Sequence, residues 1–549
     1  MFRKAAVAAL ALGLALSVAA CSDQGTGTGG TTGSPAAGAA ALPTGSQSPV
    51  DTSRKVATST DRYSKVVVGI DSDPQDLLPF NVNSGSKPAI YHNFYESLFD
   101  LDNNEYVPRL AKSYKVVDDL HYDVTLYDYI TDSAGNKITA DDVVFSTQQL
   151  IKAGSAFKYD MFDSVKKIDE YTVEYTWKTP ITQVGELEFP WCRTVIFSKK
   201  AYEAGNFATS PVGTGPYKVT GFTAGSKVTL EARDDYWQTD ASAMSVRQQS
   251  NVQSIEYDVI AEPAQHVLAL ENGTIDYSED VPAENLAEFS SGGKYADTHS
   301  VWLTAGSLLY TLTPNMSSSS PTNNEKLREA IFYAIDNNSA AQVTGTTIAA
   351  TAFGTPFFSD YVKAWDTTPT YFNTYDPDKA KELIKESGYN GQTLVLFGGN
   401  DATAKNLLTI IQSFLVNVGL KVDIKSVDTA QVPNSAAAEG TWDLFLNTLG
   451  GGSQVGQWNR ALSNTEYGNG MSLGFLKDDQ LQQLFTAANT VKTHDDASMT
   501  AVHDYIVKNA LQYAVVYPRL NIVHNSKIGQ VYLREGEHFL PGASTYYLD

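Results

Sequence analysis

Residues 393–425, TLVLFGGNDATAKNLLTIIQSFLVNVGLKVDIK, carry the pattern that decides the fold class. The apolar run at 393–397 predicts a buried strand, and the alternating residues 420–425 predict a second strand. Between them, apolar residues recur on one helical face from Asn406 to Val418, and Gly419 ends this predicted helix. A strand, a helix and a strand in this order indicate a βαβ unit with parallel strands.

The same alternation of strands and helices extends over the rest of the chain. Strands are predicted at 65–70, 122–127, 171–177, 227–232 and 252–260. Helices are predicted after Thr139, at 264–273, at 325–336 and between Asp376 and Gly388. Strands interleaved with helices predict an α/β protein.

Length and composition narrow the class of protein further. The chain has 549 residues, of which 42% are hydrophobic and 19% are charged, as in globular proteins. Two or more lobes are expected, because single cores stop growing at about 250–300 residues. The net charge of −22 argues against nucleic acid as a partner, because nucleic-acid binders present a basic surface.

The amino terminus has the features of a secretion signal. Arg3 and Lys4 precede an apolar run over 5–16 that is too short to span a membrane comfortably. Residues 18–21, VAAC, resemble a bacterial lipobox, which implies removal of residues 1–20 and lipid on Cys21. The alternative is an ordinary secretory signal with a chance cysteine. The Gly-, Ser-, Thr- and Pro-rich residues 21–60 predict a disordered tether.

Two common motifs of enzyme chemistry do not occur in the chain. It contains no G-x-x-x-x-G-K-[ST] or H-E-x-x-H motif, and its eight histidines form no i, i+4 pair. The acid pairs Asp141-Asp142 and Asp478-Asp479 lie at predicted helix starts, where the helix dipole explains them. We therefore expect no enzyme activity, no metal site and no cofactor, and we interpret Cys192 as a small buried hydrophobic residue.

Seven segments, in the same order, resemble the family 5 extracellular solute-binding proteins, the oligopeptide, dipeptide and nickel receptors of ABC import systems. They are LLPF with YHNFYESLFDLD (77–80 and 91–102), PRLAKSY (108–114), YDVTLYDYITDSAGNKITADDVVFSTQQL (122–150), PVGTGPYKV (211–219), LENGTIDY (270–277), LREAIFYAIDNNS (327–339) and YDPDKAKELIKESGY (375–389). The G-T-G-P-Y and D-P-x-K-A-K elements are the most specific, and the resemblance is weak beyond residue 430.

The resemblance implies a two-lobed type II periplasmic-binding-protein fold with hinge crossings. Lobe one is expected at 61–300 plus 516–549, with an extra subdomain at about 98–195, and lobe two at 301–515. The crossings are expected near Val301–Leu312 and Val515–Ile522. The implied protein is a monomeric receptor, held at the outer face of the bacterial membrane by lipid only, that delivers an oligopeptide to an ABC permease.

The resemblance also suggests ligand contacts in lobe one. The loop Asn83, Ser84 and Gly85 aligns with a family loop that pairs its main chain with bound peptide, a form of β-augmentation. The G-T-G-P-Y element at Gly213–Tyr217 either faces the cleft or forms a turn whose glycines need a positive φ.

In lobe two, peptide-binding relatives place an acidic residue in the loop after the segment WDLFLNT. This chain has Leu449, Gly450, Gly451, Gly452, Ser453, Gln454, Val455, Gly456, Gln457 and Trp458 there instead. The missing acid puts recognition of a free amino terminus in doubt and leaves an internal peptide stretch, a blocked peptide or a neutral oligosaccharide. Trp458 offers a stacking face, so Trp458→Ala is expected to weaken binding without unfolding the protein. The alternative is a glycine turn under the cleft.

Three functions remain open from the sequence. The first is an oligopeptide receptor; the second is an oligosaccharide receptor of the same family, which Trp458 and the 30 tyrosines suit. The third is a tethered extracellular hydrolase. Tyr517, near the second crossing, either lines the cleft or packs in the core.

Overall fold

The computed structural model describes most of the chain from residue 47 onward. The described residues are 47–548 except 49, 81–86, 103–104, 154–161, 179–188, 280, 346, 359, 429–431, 433–439, 451–452, 465–471, 491 and 535–537.

The strands in these ranges are β1 (Tyr63–Ile70), β2 (Glu96–Ser97), β3 (Phe99–Asp102), β4 (Glu105–Pro108), β5 (Ala111–Val116), β6 (His121–Leu126), β7 (Phe162–Lys167), β8 (Thr172–Trp177), β9 (Val195–Ile196), β10 (Tyr217–Thr223), β11 (Lys227–Ala232), β12 (Val252–Val259), β13 (Tyr277–Ser278), β14 (His299–Ala305), β15 (Leu309–Pro314), β16 (Thr347–Ala349), β17 (Thr393–Gly398), β18 (Lys421–Ser426), β19 (Leu444–Leu449), β20 (Tyr513–Asn525), β21 (Ile528–Gln530), β22 (Leu533–Arg534), β23 (His538–Phe539) and β24 (Thr545–Tyr546).

The α-helices are α1 (Lys87–Tyr91), α2 (Ala140–Lys152), α3 (Lys199–Glu203), α4 (Pro263–Glu271), α5 (Leu286–Phe289), α6 (Glu325–Tyr333), α7 (Asn337–Thr344), α8 (Pro377–Ser387), α9 (Ala402–Asn417), α10 (Gln454–Leu462), α11 (Asp479–Asn489) and α12 (Asp496–Lys508). Within the described ranges, no helix combines the length and apolar character needed to cross a bilayer.

The predicted βαβ unit is confirmed. Strands β17 and β18 are parallel, with Leu396 opposite Ile424, and α9 connects them. The helix starts four residues earlier than its apolar pattern indicates, because the Asp401 side chain accepts a hydrogen bond from Ala404 N at 2.9 Å and caps it. Its buried face carries Leu407 and Ile411.

The largest sheet runs through one long central strand. Its order is β10-β11-β12-β1-β13-β20-β15-β19-β17-β18, and β14 and β16 also pair with β20. The C-terminal half of β20 pairs with β13 and β14, and its N-terminal half pairs with β15 and β16. One strand therefore belongs to both halves of the sheet.

Two hydrophobic cores meet at this strand. The first core contains buried residues between Ala57 and Trp302, joined by Ile522 and further residues up to Tyr546. The second core contains buried residues between Ala305 and Tyr517. The chain thus passes from core to core between residues 302 and 305 and between residues 517 and 522, inside the two segments where crossings are predicted.

A separate antiparallel sheet, β5-β6-β8-β7, packs with α2 inside the predicted subdomain range. Asp142 accepts a hydrogen bond from Thr139 N at 2.9 Å and forms the capping box at the start of α2. Cys192 is buried in this core, as its interpretation as a small hydrophobic residue predicts.

A buried ionic network ties this subdomain to the rest of the first half. The Arg109 guanidinium lies 3.3 Å from Glu96 Oε1 and 3.1 Å from Asp100 Oδ1, and all three side chains are buried. Burial opposes the charged guanidinium, but the attraction of Asp100 and Glu96 raises the pKa of Arg109 overall. The Trp237 indole donates to Glu96 Oε2 at 3.0 Å. Removal of one partner would leave a buried charge without compensation.

The tether predicted at 21–60 includes residues that belong to the folded body. Ser48 N donates to Val531 O at 3.0 Å, and Ala57 N donates to Tyr546 O at 2.7 Å. The Arg54 guanidinium lies 3.5 Å above the ring of Tyr547. Residues 47–58 are therefore held against the C-terminal strands by backbone contacts, which composition alone does not reveal.

The predicted α/β architecture with an extra antiparallel subdomain is thus confirmed. The division into lobes at 61–300 plus 516–549 and at 301–515 stays a prediction.

One testable consequence concerns His524 in β20. Burial lowers its pKa from 6.5 to about 4. The unfolded chain takes up a proton below about pH 6.5, while the folded chain resists protonation until about pH 4. The contribution of His524 to the free energy of unfolding is therefore complete above pH 6.5. This contribution, about 3 kcal/mol, is lost as the pH falls to 4. Urea unfolding of His524→Gln should show a shallower loss over this window than the wild type.

Ile522→Val, in the same strand, is the matched control because it changes packing without a titrating group. Its unfolding free energy should be lower by a constant amount at every pH. Equal pH slopes in the wild type and His524→Gln would contradict the assignment.

Candidate ligand-binding site

In the first half of the large sheet, the carboxyl ends of the parallel strands lie toward the residues of β20 that connect the two cores. Strand β13 runs antiparallel to β20, with Tyr277 opposite His524 and Ser278 opposite Val523, so its chain direction leads toward Pro518. Strand β1 is parallel to both β13 and β12. The residues that follow β1, β12 and β13 therefore lie on the crossing side of the sheet.

The second half mirrors this arrangement. Leu449, the last residue of β19, lies opposite Leu309, the first residue of β15, and Tyr310 of β15 lies opposite Val516 of β20. Strand β17 is parallel to β19 and to β18. The carboxyl ends of the parallel strands in both halves thus face the same crossing segments, and this edge is where open α/β sheets bind ligands.

Acidic side chains follow several of these strand ends. Asp71 and Asp73 follow β1, Glu279 follows β13, and Asp401 follows β17. Asp71 and Asp401 are exposed, while Asp73 and Glu279 are partly buried. The edge therefore carries negative charge from both halves, and this charge favours a ligand with a cationic or neutral hydrogen-bonding group.

The floor between the two edges contains Leu308 and Tyr310. Leu308 lies in the link between β14 and β15 and is 40% exposed. Tyr310 is partly buried, and burial together with the nearby charge of Asp401 raises the pKa of its phenol. The phenol is therefore a neutral hydrogen-bonding group at physiological pH.

Gly450 lies directly against this floor. A Cβ atom at this position would be 2.5 Å from Leu308 Cδ2, so a larger residue would displace the leucine. The Arg460 guanidinium donates a hydrogen bond to Gly450 O. The first glycine of the predicted loop thus allows the crossing link to pack closely, while Gly451 and Gly452 lie outside the described residues.

The rest of that predicted loop is the start of a helix. Residues 454–462 form α10, and the Ser453 side chain accepts a hydrogen bond from Gly456 N at 3.1 Å as its cap. Gln454 and Gln457 are both buried. Gln457 Nε2 donates to Ser307 O at 2.8 Å, and Gln454 Oε1 accepts a hydrogen bond from Thr355 N at 2.5 Å. Both glutamines hold protein segments together in this structure.

Asp360 belongs to the same hydrogen-bond network as Gln454. Its carboxylate accepts hydrogen bonds from Gln454 N at 2.9 Å and Val455 N at 3.1 Å, at the start of α10. Burial raises the pKa of Asp360, and these two amides act in the opposite direction. The backbone amides at the start of α10, which have no partner within the helix, therefore donate to a buried carboxylate of the protein.

Trp458 does not present a stacking face. Its side chain is 0% exposed, its ring lies parallel to that of Phe353 with centroids 5.8 Å apart, and Trp365 lies at 5.5 Å. The structure therefore places Trp458 in the second core, because the helical period of α10 turns it inward together with Val455 and Leu462.

Of the remaining predicted ligand residues, Tyr517 is buried and the loop at 83–85 is not described by the structure. Tyr517 is 4% exposed in the second core, opposite Ile348 of β16. Asn83, Ser84 and Gly85 lie outside the described residues, so their predicted pairing with a peptide stays a prediction.

The G-T-G-P-Y element is packed against protein main chain. A Cβ on Gly213 would lie 1.9 Å from Phe94 O, and one on Gly215 would lie 2.6 Å from Asn93 O. Neither glycine has a positive φ, so close approach, and not a left-handed turn, requires them. Gly215 N donates to Phe94 O at 2.9 Å, and Arg233 Nη1 donates to Gly215 O at 3.2 Å.

Comparison with known proteins gives the family. The family described as bacterial extracellular solute-binding proteins, family 5 (middle region), matches residues 105–470, which is more than half of the chain. The chain belongs to family 5 of the bacterial extracellular solute-binding proteins. This family consists of binding proteins and not of enzymes.

Relatives and structures agree with this family. The chain is 26% identical to the glutathione-binding protein GsiB of Pectobacterium atrosepticum over 424 residues, 75% of this chain and 79% of the relative. The substrate-binding protein CtaP of Listeria monocytogenes superposes with a TM-score of 0.74 at 21% identity, covering 89% of this chain and 100% of that chain.

AppA of Bacillus subtilis, solved in complex with a nonapeptide, superposes with a TM-score of 0.66 at 18% identity and covers 90% of this chain and 100% of its own. These likenesses establish the two-lobed α/β fold of the periplasmic binding proteins that the sequence resemblance implies. As a family 5 solute-binding protein, the chain serves as the substrate-binding component of an ABC import system.

The position of Trp458 leads to a prediction opposite to the one from sequence. Trp458→Ala should lower the free energy of unfolding by about 3–5 kcal/mol, because it empties a closely packed aromatic site. Urea denaturation measures this loss. Trp458→Phe, which keeps a ring beside Phe353, is the control and should lose less. Unchanged stability with weakened ligand binding would instead restore the stacking role.

Proposed function

We propose that the protein captures short peptides between two lobes and delivers them to an ABC permease, as a lipoprotein anchored through Cys21. The family match over residues 105–470 carries the proposal. The relative GsiB binds glutathione, and AppA was solved with a nonapeptide, so peptide-like ligands recur among proteins similar to this one.

The geometry of the sheet supports capture between two bodies. The carboxyl ends of both half-sheets face the segments that cross between the two cores, namely residues 302–305 with the link that follows, and residues 517–522. A ligand at this place touches both halves at once. Closure then follows if the ligand binds the closed state more tightly than the open one, because a ligand shifts a conformational equilibrium only by such a difference.

Peptide is favoured over oligosaccharide by the position of the aromatic residues. Of the two features that suit a saccharide, the many tyrosines and a stacking face at Trp458, the second is lost because the Trp458 ring is fully buried. The floor instead offers Leu308 as an apolar contact and the neutral phenol of Tyr310. An extended peptide, with apolar side chains and main-chain amides, matches such a surface.

Thermal unfolding with candidate ligands tests the function. Random peptide libraries of three to nine residues, glutathione, cello-oligosaccharides and a nickel–histidine complex are added separately to the purified full chain. Peptides should stabilise it, by about 2.7 kcal/mol at one hundred times the dissociation constant. Stabilisation by saccharides or by the nickel complex alone would overturn the peptide proposal. Native mass spectrometry should recover bound peptide of unchanged mass, whereas hydrolysed products would reveal an enzyme.

Detergent partitioning tests the lipid anchor. The wild-type chain, expressed in a bacterial host that lipidates secreted proteins, should enter the detergent phase, and Cys21→Ser should remain in the aqueous phase. Cys192→Ser is the matched control, because Cys192 is buried in the subdomain core and should not affect partitioning. Equal partitioning of the wild type and Cys21→Ser would contradict a lipid on Cys21.

A further inference from the structure

Arg519 lies on the stretch of β20 that joins the two halves of the large sheet. In this strand, residues 513–517 and 521–524 are buried, whereas residues 518–520 are only partly buried. Arg519 is opposite Ala305, the last residue of β14, where the chain passes from one core to the other. Its side chain therefore leaves the backbone at the crossing itself.

One end of the Arg519 side chain is bound to the second half. Nη2 donates a hydrogen bond to Gly345 O at 2.5 Å. Gly345, with a φ of 66°, ends α7, and Ala340 of this helix is buried in the second core. A cation is favourable at this position, because the last carbonyls of a helix have no partner within it and form the negative end of its dipole.

The same side chain is joined to the first half through Asn521. Arg519 Nε donates to Asn521 Oδ1 at 2.9 Å, and Asn521 Nδ2 donates to Val281 O at 3.1 Å. Val281 is buried together with Val523 and Leu270 in a smaller apolar cluster of the first half. Asn521 is itself buried, so both polar groups of its amide have protein partners.

The two halves also touch beside this series of hydrogen bonds. A Cβ atom on Gly345 would lie 3.4 Å from the Cβ atom of Ala283, which follows Val281 by two residues. The end of α7 therefore meets the segment that follows β13. The hydrogen bonds from Gly345 through Arg519 and Asn521 to Val281 cross this meeting point, and their lengths require that the two segments stay close.

The charge of Arg519 makes this connection stronger than a neutral one. Among the described residues Arg519 forms no ion pair, whereas Arg109 and Arg247 both pair with Asp100. The two bonds of Arg519 are charge-assisted, and such bonds are stronger than those between neutral groups. Partial burial of the guanidinium strengthens them further. Movement that breaks either bond leaves a partly buried charge with fewer partners, which is unfavourable.

We propose that Arg519 and Asn521 form a latch between the two halves. The latch holds the end of α7 against residues 281–283 and favours the arrangement of the halves in this structure over others. The proposal rests on the capture between two moving lobes proposed above. A bend at the crossing would carry Gly345 O away from the guanidinium, and a hydrogen bond to a charged group shifts such an equilibrium about tenfold to a hundredfold.

Electron–electron distance measurements between two spin labels test the latch on the full chain without ligand. The labels are attached at Lys218→Cys in the first half and Lys405→Cys in the second, both exposed positions, in a background of Cys21→Ser and Cys192→Ser. Arg519→Met keeps the length of the side chain and removes its donors. It should raise the population at a second label separation about tenfold or more above that of the background protein. Identical distance distributions would overturn the proposal.

Arg519→Lys decides the question if Arg519→Met does not fold. It keeps the charge, but its single ammonium group cannot reproduce the fork of a guanidinium. We therefore expect a rise in the second population that is smaller than the one for Arg519→Met. A distribution identical to that of the background protein in every Arg519 variant that folds contradicts the latch.

Asn521→Leu separates a connected latch from two independent contacts. Leucine is close to asparagine in size and removes both hydrogen bonds of the amide. If the two residues act as one series, the double variant with Arg519→Met should raise the second population no more than the stronger single variant does. Effects that add in full would show that Arg519 and Asn521 act separately, and the latch as proposed would be wrong.

Arg62→Gln is the matched control, because Arg62 is a partly buried arginine whose partners all belong to the first half. Its Nη1 pairs with Asp234 at 2.6 Å, and its Nη2 donates to Arg233 O at 3.1 Å. The control should lower the melting temperature and leave the label distances unchanged. A merely structural Arg519 would behave in the same way, and that result overturns the proposal.

The latch and the peptide function can fail separately. If no peptide library stabilises the protein while the label distances respond to Arg519→Met as expected, the peptide function fails and the latch stands. If peptides bind and the distances do not respond, the latch alone is overturned.

Discussion

The backbone pairing of β20 with strands of both halves is the constraint on which the rest of the structure depends. Its first residues complete the sheet of the second core and its last residues complete the sheet of the first. A slip of one residue would turn every side chain of the strand to the opposite face, so the two cores fix the register together. The link between β14 and β15 and the partly buried residues 518–520 are then the places where the chain joins the two halves.

Local signals predicted the regular elements well. Asp376, Pro377 and Gly388 bound α8 as cap, first residue and left-handed end, because each of these roles depends on the residue's own chemistry. The length of β20 is not apparent from the sequence, since Pro518 and Arg519 interrupt the apolar run YAVVY and resemble a strand end. Only the pairing with β14 and β16 holds the chain extended through them.

The candidate site was harder to predict, for a physical reason. Residues 449–458 look like a glycine loop with polar tips, yet Val455, Trp458 and Leu462 follow a helical period, which turns Trp458 into the core. The features that the structure adds are Leu308, Tyr310 and Asp401. Asp401 is far in sequence from Leu308 and Tyr310 and shares no motif with them, so their common location depends on strand register, which the sequence does not display.

The attachment of residues 47–58 to the end of the chain has a consequence for orientation. Leu548 N donates to Lys55 O at 3.0 Å, so the last described residues lie beside residue 55, near the start of the described chain. If Cys21 holds the protein at a membrane, the C-terminal residues lie next to residues 47–58, the described segment that is nearest to the anchor in sequence. A fluorescent or affinity tag fused to the carboxyl terminus would therefore lie beside this segment, whereas an insertion in a loop of the antiparallel subdomain would not.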